Sequence, residues 1–268
     1  MLTPTIPEGF PPILTGLGAP VRYFPVRKFN KIGSLVMFIV FLAGALAVLI
    51  YGLYRAYTAY WQHGAAVIGS MLSTPLILAA VLFLLAVLGG WLAYSNWNRG
   101  VLLCEKGFAI RSRKGIQEWR WEEITSIKVR ITRQYANGVY TGTTHEYMLV
   151  NNQNGRVTIN EGFQKVVELG EVIESSVFPL LYEPAAEQYN QGKPVAFGPV
   201  VISKLGLHFG KKTIPWEEIK EVSLQRGDLK VSRKEGGWFS GASVPAPVIP
   251  NLRVLLAILK QVVGLKTD

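Results

Sequence analysis

The sequence predicts an α+β protein with a two-helix hairpin near its N-terminus, followed by two repeats of a small antiparallel sheet that each end in a helix. Three observations predict it: two long uncharged apolar segments, a four-residue phrase written twice, and short apolar runs separated by turns. The chain of 268 residues is long enough for several small domains. We expect an N-terminal segment at 1–32, the hairpin at 33–98, and the two repeats at 99–185 and 193–268.

Two segments have the length and composition of membrane-spanning helices. No Asp, Glu, Lys or Arg lies between Lys31 and Arg55, or between Arg55 and Arg99. A bilayer core of about 30 Å needs about 20 helical residues. We therefore predict spans at about 33–54 and 75–95. A buried core helix and a cleaved signal peptide are the alternatives, and both fit the length of these segments poorly.

The residues around the two spans predict their direction and their packing. Lys and Arg lie before the first segment and after the second, whereas the connecting loop has only Arg55. Both termini are therefore expected in the cytoplasm at the plasma membrane. Aromatic residues near the inner end suggest an interfacial belt, and small residues four apart suggest close helix packing. The belt consists of Trp91, Tyr94 and Trp97, and the small pairs are Ala43/Ala47 and Ala86/Gly90.

The phrase Trp-Glu-Glu-Ile stands at 121–124 and again at 216–219, each time after an apolar run, a glycine and a basic turn. Such self-similarity is typical of one structural unit used twice. Strand-like runs precede and follow each copy, and helical patterns follow at 162–181 and 250–263. We expect the tryptophans to fill the core of each repeat, with the glutamates at solvated turns. A peptide-binding role for the tryptophans is the alternative.

Several segments carry a resemblance to known families. They are LGAPVRYF at 17–24, the repeated WEEI, VAFGPVVISKLGLHFG at 195–210, and the IPN-xx-VLLAIL ending at 249–259. With them the chain resembles the pleckstrin-homology-like (PH-like) superfold. It looks most like an uncharacterised bacterial-type family of two-span membrane proteins with PH-like cytoplasmic domains. The resemblance implies a fold and a location and assigns no reaction. The basic loop with which better-known PH domains bind phosphoinositides is short here.

Catalytic and metal-binding patterns are not visible in the sequence. His63, His145 and His208 have no metal-ligand spacing to one another or to Cys104, the single cysteine. No nucleophile elbow or phosphate-binding glycine loop occurs. We therefore expect no enzyme activity, no cofactor and no metal. An enzyme whose site is dispersed along the chain remains an alternative.

Basic turns are the candidate binding residues. Arg111, Arg113 and Lys114 form one turn, and Lys211 and Lys212 occupy the corresponding place in the second repeat. Beneath a membrane such turns would meet anionic lipid headgroups. Ordinary solvated loops are the alternative reading. Nucleic-acid binding is disfavoured, although the net charge is +10, because no recognition helix or aromatic-basic platform is visible.

These observations favour a non-enzymatic integral membrane protein. Its cytoplasmic repeats would act as a membrane-proximal adaptor for a protein partner or for anionic lipid headgroups. A homo-oligomer is a further expectation for the partner. The alternative from another functional class is a subunit of a membrane transport, export or stress-response complex.

Overall fold

The computed structural model is an α+β structure with two long helices near the N-terminus and several small antiparallel sheets after them. Two further helices lie among and after the sheets. The structure describes residues 10, 16–97, 99–112, 115–210, 212–234, 241–263 and the backbone of 265–266.

The two long helices lie side by side and run in opposite directions. They are α1 (Lys28–His63) and α2 (Ile68–Trp97), joined through a 3-10 turn at Ala65–Val67. Gly52 near the end of α1 contacts Pro75 near the start of α2, and Gly89 near the end of α2 approaches the backbone of Phe38. Both helices are long and apolar enough to cross a membrane.

Small residues form the contact between α1 and α2. Every buried residue of the two helices is Ala or Gly, and six of them recur at every seventh position. This period keeps one narrow face of each helix against its neighbour. The six residues are Ala45, Gly52, Ala59, Ala79, Ala86 and Ala93. Of the two small pairs predicted from the sequence to pack between the helices, Ala86/Gly90 does face α1. The prediction for Ala43/Ala47 was wrong, because both side chains are exposed on the outer face of α1.

The first group of strands forms a four-stranded and a three-stranded antiparallel sheet. The four-stranded sheet has the order β1-β2-β3-β4, and the three-stranded sheet has the order β5-β6-β7. The strands are β1 (Pro20–Pro25), β2 (Gly100–Cys104), β3 (Gly107–Ser112), β4 (Gly115–Arg120), β5 (Ile124–Ala136), β6 (Val139–Asn151) and β7 (Arg156–Asn160).

Strand β1 precedes α1 in the chain but pairs with β2, which follows α2, so the helix pair is inserted between two neighbouring strands of one sheet. This strand lies outside the range 99–185 that the sequence predicts for the first repeat. The link from β1 to α1 also forms hydrogen bonds with the segment after β7. The Arg27 N–H donates to the Gly162 carbonyl at 2.8 Å, and the Gln164 N–H donates to the Pro25 carbonyl at 2.8 Å.

The second group of strands repeats this order. One sheet runs β8-β9-β10-β11 and the next places β14, β13 and β12 side by side, with a short parallel strand, β15, on the far edge of β12. The strands are β8 (Val195–Phe197), β9 (Val200–Ser203), β10 (Gly206–Phe209), β11 (Lys212–Pro215), β12 (Ile219–Gln225), β13 (Asp228–Arg233), β14 (Ala242–Pro245) and β15 (Leu265–Lys266).

The Trp-Glu-Glu-Ile phrase has the same conformation in both groups. Each copy forms a 3-10 turn between the fourth and fifth strand of its group. The Trp121 indole N–H donates to the Glu105 carbonyl at 3.1 Å, and that of Trp216 donates to the Ser203 carbonyl at 2.9 Å. Trp121 is buried and Trp216 is partly buried against the second core. Each indole therefore closes the preceding hairpin and packs on its own core.

Helix α3 (Val166–Asn190) joins the two groups. It begins after Lys165, whose φ of 53° is left-handed, and it continues well past residue 181, where the sequence pattern ends. Its first half places Leu169 and Ile173 in the first core, and Tyr189 at its end lies in the second core. The helix is longer than the sequence pattern predicts because it packs on both cores. A shorter helix, α4 (Leu252–Val262), covers the second core alone.

Asn251 connects the start of α4 to the outer edge of β5. The Ile127 N–H donates to Asn251 Oδ1 at 2.8 Å, and Asn251 Nδ2 donates to the Thr125 carbonyl at 3.0 Å. The Asn251 N–H also donates to the Ile127 carbonyl at 2.8 Å. An unpaired strand edge is a site for unwanted pairing, and Asn251 occupies this edge at Thr125 and Ile127.

We expect Asn251→Ala to destabilise the fold by about 1–3 kcal/mol, because the Ile127 N–H loses its acceptor inside a packed contact. Asn251→Asp keeps the acceptor for Ile127 and loses only the donor to Thr125, so it should lie between wild type and Asn251→Ala. Chemical unfolding of the full chain in detergent measures the difference. Equal stability of Asn251→Ala and the exposed-site control Asn152→Ala would contradict the role of this contact.

Candidate functional site

A cleft of about 460 Å³ lies between the end of α2 and the β3–β4 hairpin. We call it the helix-foot cleft. It combines aromatic rings from the helix with guanidinium groups from the strand region. Its lining residues are Trp91, Tyr94, Ser95, Arg99, Arg111, Ser112 and Gly115.

The local fold explains why these side chains meet. Arg99 lies two residues after the end of α2 and directly before β2, and its neighbour Gly100 pairs with Arg111 on β3. The end of the helix and the hairpin are therefore fixed by the same strand ladder. Tyr23 on β1 lies close to this region, where burial raises the pKa of its phenol and the Arg111 guanidinium opposes that rise.

Arg99 also lines a second, larger cleft of about 660 Å³ on its other side, between the helix feet and strands β5 and β6. We call it the ribbon cleft. Its charges are paired: Arg27 Nη2 lies 3.0 Å from Glu161 Oε2, and His145 Nδ1 lies 3.1 Å from the other oxygen of Glu161. Arg130 pairs with Glu146 at 3.4 Å.

Arg99 differs from these arginines in its contacts. Its guanidinium carbon lies 5.8 Å from the centre of the Phe163 ring. Within the described residues it forms no ion pair with a carboxylate. An arginine that stacks on an aromatic ring keeps its N–H groups available for an anionic ligand. Arg99 is therefore the cation at this site that is best prepared to bind an anion.

The structure brings one of the sequence-predicted basic residues to the helix feet. Arg111 lines the helix-foot cleft. Arg113 and Lys114, in the turn that follows, lie outside the described residues, as does Lys211. Lys212 is exposed at the start of β11 and lines neither of the two clefts.

Sequence analysis did not single out Arg99 as a candidate binding residue. It appeared only as a charge at the end of a span, and Trp91 and Tyr94 appeared only as belt aromatics. The signal that could have joined them is spacing. Three and four residues separate Trp91 from Tyr94 and Ser95. This spacing places the three side chains on one face of a helix, next to the strand that follows.

The paired glutamates of the Trp-Glu-Glu-Ile phrase lie on the two 3-10 turns. Glu122, Glu217 and Glu218 are exposed there, and Glu218 pairs with Arg233 at 3.6 Å. In the described part of the chain, no three His, Cys, Asp or Glu side chains group as a metal site would need.

A third cavity, of about 250 Å³, lies between β5, α3 and α4, where the two groups of strands meet. Apolar side chains dominate its lining, together with Glu174 and Arg253. Arg253 lies 5.2 Å from the centre of the Phe178 ring. Burial raises the pKa of the Glu174 carboxyl, and the Arg253 guanidinium only partly offsets that rise.

Residues 14–266 match the family of unknown function DUF6585. The chain belongs to the DUF6585 family. The match begins before β1 and ends at Lys266, the last residue of β15, so the helix pair and the sheets that the structure describes lie inside one family unit. No curated protein matches the sequence.

We expect Glu174→Gln to stabilise the DUF6585 chain at about pH 8 and to have no effect near about pH 4. The carboxyl has a higher pKa folded than unfolded, so its ionisation costs stability as the pH rises through and above the ordinary carboxyl range. The glutamine cannot ionise and avoids this cost. Thermal unfolding across pH measures the effect.

Glu183→Gln, on the exposed side of the same helix, is the matched control and should follow the wild type at each pH. If Glu174→Gln also follows the wild type throughout, ionisation of Glu174 does not limit the stability of this contact.

Proposed function

We propose that this chain is a two-span membrane protein whose sheets form two PH-like repeats on the cytoplasmic side of the plasma membrane. The helix pair supports the spans. Its buried residues are only Ala and Gly, and its large apolar side chains point outward, with Leu84 67% exposed and Ile50 66% exposed. Water is a poor solvent for such a surface, whereas lipid tails match it.

The order of elements supports the PH-like assignment. Each group has four strands, a 3-10 turn at the Trp phrase, three more strands and a closing helix. This order, together with the sequence resemblance, carries the proposal of two repeats. The first repeat would then include β1 and would enclose the helix pair as an insertion between its first two strands.

We further propose that the helix-foot cleft binds an anionic lipid headgroup and that the protein serves as a membrane-held adaptor without enzymatic activity. One observation carries this proposal: Arg99 and Arg111 line the same cleft as Trp91 and Tyr94 at the end of a candidate span. Tyr and Trp favour the depth of the headgroups, and each basic group there gains about 1 kcal/mol from an anionic leaflet.

The span assignment predicts the side from which single cysteines react. Ala65→Cys, in the exposed turn between α1 and α2, should react with an impermeant maleimide from outside intact cells. Lys193→Cys, exposed after α3, should react only when the membrane is opened. The native Cys104 is buried and gives a low background. Equal reactivity of both sites in intact cells would contradict the proposed topology.

The headgroup proposal predicts that purified full-length protein in mild detergent binds short-chain phosphatidylglycerol, and that added salt weakens the binding. Replacing both Arg99 and Arg111 by Gln should weaken binding at least about tenfold, because each charge-assisted hydrogen bond is worth about 1.5–3 kcal/mol. Calorimetric titration measures the affinity. A fragment that begins at residue 100 would lack β1, so the full chain is needed.

Lys212→Gln is the matched control, because it removes a predicted basic residue that lies outside both clefts. It should bind phosphatidylglycerol like the wild type. Short-chain phosphatidylcholine should bind more weakly than phosphatidylglycerol to both proteins. Unchanged affinity of the Arg99/Arg111 double variant would assign headgroup binding to another surface. Inorganic phosphate, titrated in parallel, separates binding of a free anion from binding of a lipid.

A further inference from the structure

Strands β5 and β6 extend beyond the sheet to which they belong. β7 pairs with β6 only from Glu146 to Val150, whereas β5 and β6 remain paired with each other to Ala136 and Val139. Residues 131–145 therefore form a two-stranded projection, which we call the β5–β6 ribbon. Its tip is Asn137-Gly138, with φ of 50° and 80°, as a tight hairpin turn requires.

The ribbon exposes large apolar side chains to an unusual degree. Ile131, Tyr135, Val139 and Tyr140 are between 55% and 67% exposed. The rings of Tyr135 and Tyr140 meet edge to face at 5.9 Å and form one aromatic patch near the tip. A two-stranded ribbon is only marginally stable by itself in water, so a surface of this kind indicates an interaction.

The charge of the ribbon indicates which kind of partner it fits. Residues 131–145 contain Arg133 but no Asp or Glu. A surface that combines tyrosines, aliphatic side chains and arginine suits the headgroup layer of an anionic bilayer, where the rings lie at the boundary and the cations meet lipid phosphates.

The ribbon begins beside the ends of the two helices that are proposed to span the membrane. Thr132 and Thr144 pair across the ribbon and line the ribbon cleft with Asn30 of α1 and Arg99 after α2. This rung therefore lies against the feet of the two helices. Four residues of β5 follow Thr132, and at about 3.3 Å per residue they carry the tip about 13 Å further.

The corresponding hairpin of the second group has no such extension. It joins β12 to β13 through Arg226-Gly227, and β12 has 7 residues where β5 has 13. Along this second hairpin, which the structure describes in full, no large apolar side chain is exposed. The extension thus belongs to the group of strands that carries the helix pair.

We propose that the tip of the β5–β6 ribbon inserts into the headgroup layer of the cytoplasmic leaflet as a third attachment of this domain to the membrane. The proposal rests on the proposed spans. The two helices leave the first sheet side by side at one edge, which permits the sheet to tilt. A third contact, at the end of the ribbon, fixes the tilt and holds the helix-foot cleft against the lipid.

The test is fluorescence of the full chain in vesicles of phosphatidylcholine and phosphatidylglycerol. Val139→Cys, at the start of β6, carries an environment-sensitive dye, and some of the lipids carry a nitroxide just below the headgroup. Asp228→Cys, at the start of β13, is the matched control on the corresponding hairpin. We expect a blue-shifted emission and loss of most of the fluorescence for Val139→Cys, with neither change for Asp228→Cys.

A second variant tests the patch itself. Tyr135→Ser with Tyr140→Ser, in the Val139→Cys background, should reduce the quenching while the melting temperature of the chain stays close to that of its parent. Both tyrosines are more than half exposed, so the core does not depend on them. Quenching that is independent of both tyrosines would overturn the role of the patch.

Alkaline carbonate washing separates this inference from the proposed spans. If the chain stays in the vesicles and the Val139→Cys dye is not quenched, the ribbon does not contact lipid and the span assignment stands. If the chain is washed out, the spans fail and the ribbon inference fails with them. Retention together with quenching at Val139→Cys alone supports both.

Discussion

The pairing of β1 with β2 is the contact on which the arrangement of this chain depends. It joins the segment before α1 to the segment after α2, so both ends of the helix pair are held by neighbouring strands of one sheet. The Arg27 N–H bond to the Gly162 carbonyl and the pairing of Val26 with Phe163 fix the same junction from the other side. Because this junction is hydrogen-bonded on both sides, the end of the helix pair has a defined position beside the sheet. Both clefts beside Arg99 derive their shape from it.

A second constraint operates inside each group of strands. At Gly107 and at Gly206 a Cβ atom would overlap the carbonyl oxygen of the paired strand, at Trp119 and Ile214 respectively. Only glycine permits this close approach, which closes the hairpin so that the indole of the following Trp phrase can donate to its backbone. The repeated phrase and the repeated glycine thus describe one packing solution used twice. This explains why the sequence similarity is concentrated around residues that determine the packing of the hairpin.

The sequence predicted features that depend on local pattern. The two apolar helices, the Trp turns and most of the short strands follow from periodicity and from turn residues. Features that depend on distant pairing were missed: β1 was assigned to a separate N-terminal segment, and α3 was expected to end at 181. A strand whose partner lies beyond two long helices leaves no local signal, and neither does a helix lengthened by a second core. The residues of the proposed site divide in the same way. Arg111 was predicted from its basic turn, whereas Arg99 becomes a candidate only when the pairing of β2 with β3 places it beside the hairpin.

The differences between the two groups of strands carry the functional argument, because the two groups otherwise share the same order of elements. The first group has the helix insertion, the helix-foot cleft and a long ribbon with exposed apolar side chains, whereas the second has a short hairpin that exposes no large apolar side chain. The cleft and the base of the ribbon lie at the same end of the first group, next to α1 and α2. The second group contributes α4 and Asn251, which cover the β5 edge on the opposite side of that sheet from β7. Under the proposed topology the first group is therefore the membrane-facing half, and the second supports it while presenting its own surface to the cytoplasm. This division is what an adaptor requires, since one half must stay on the lipid while the other remains accessible.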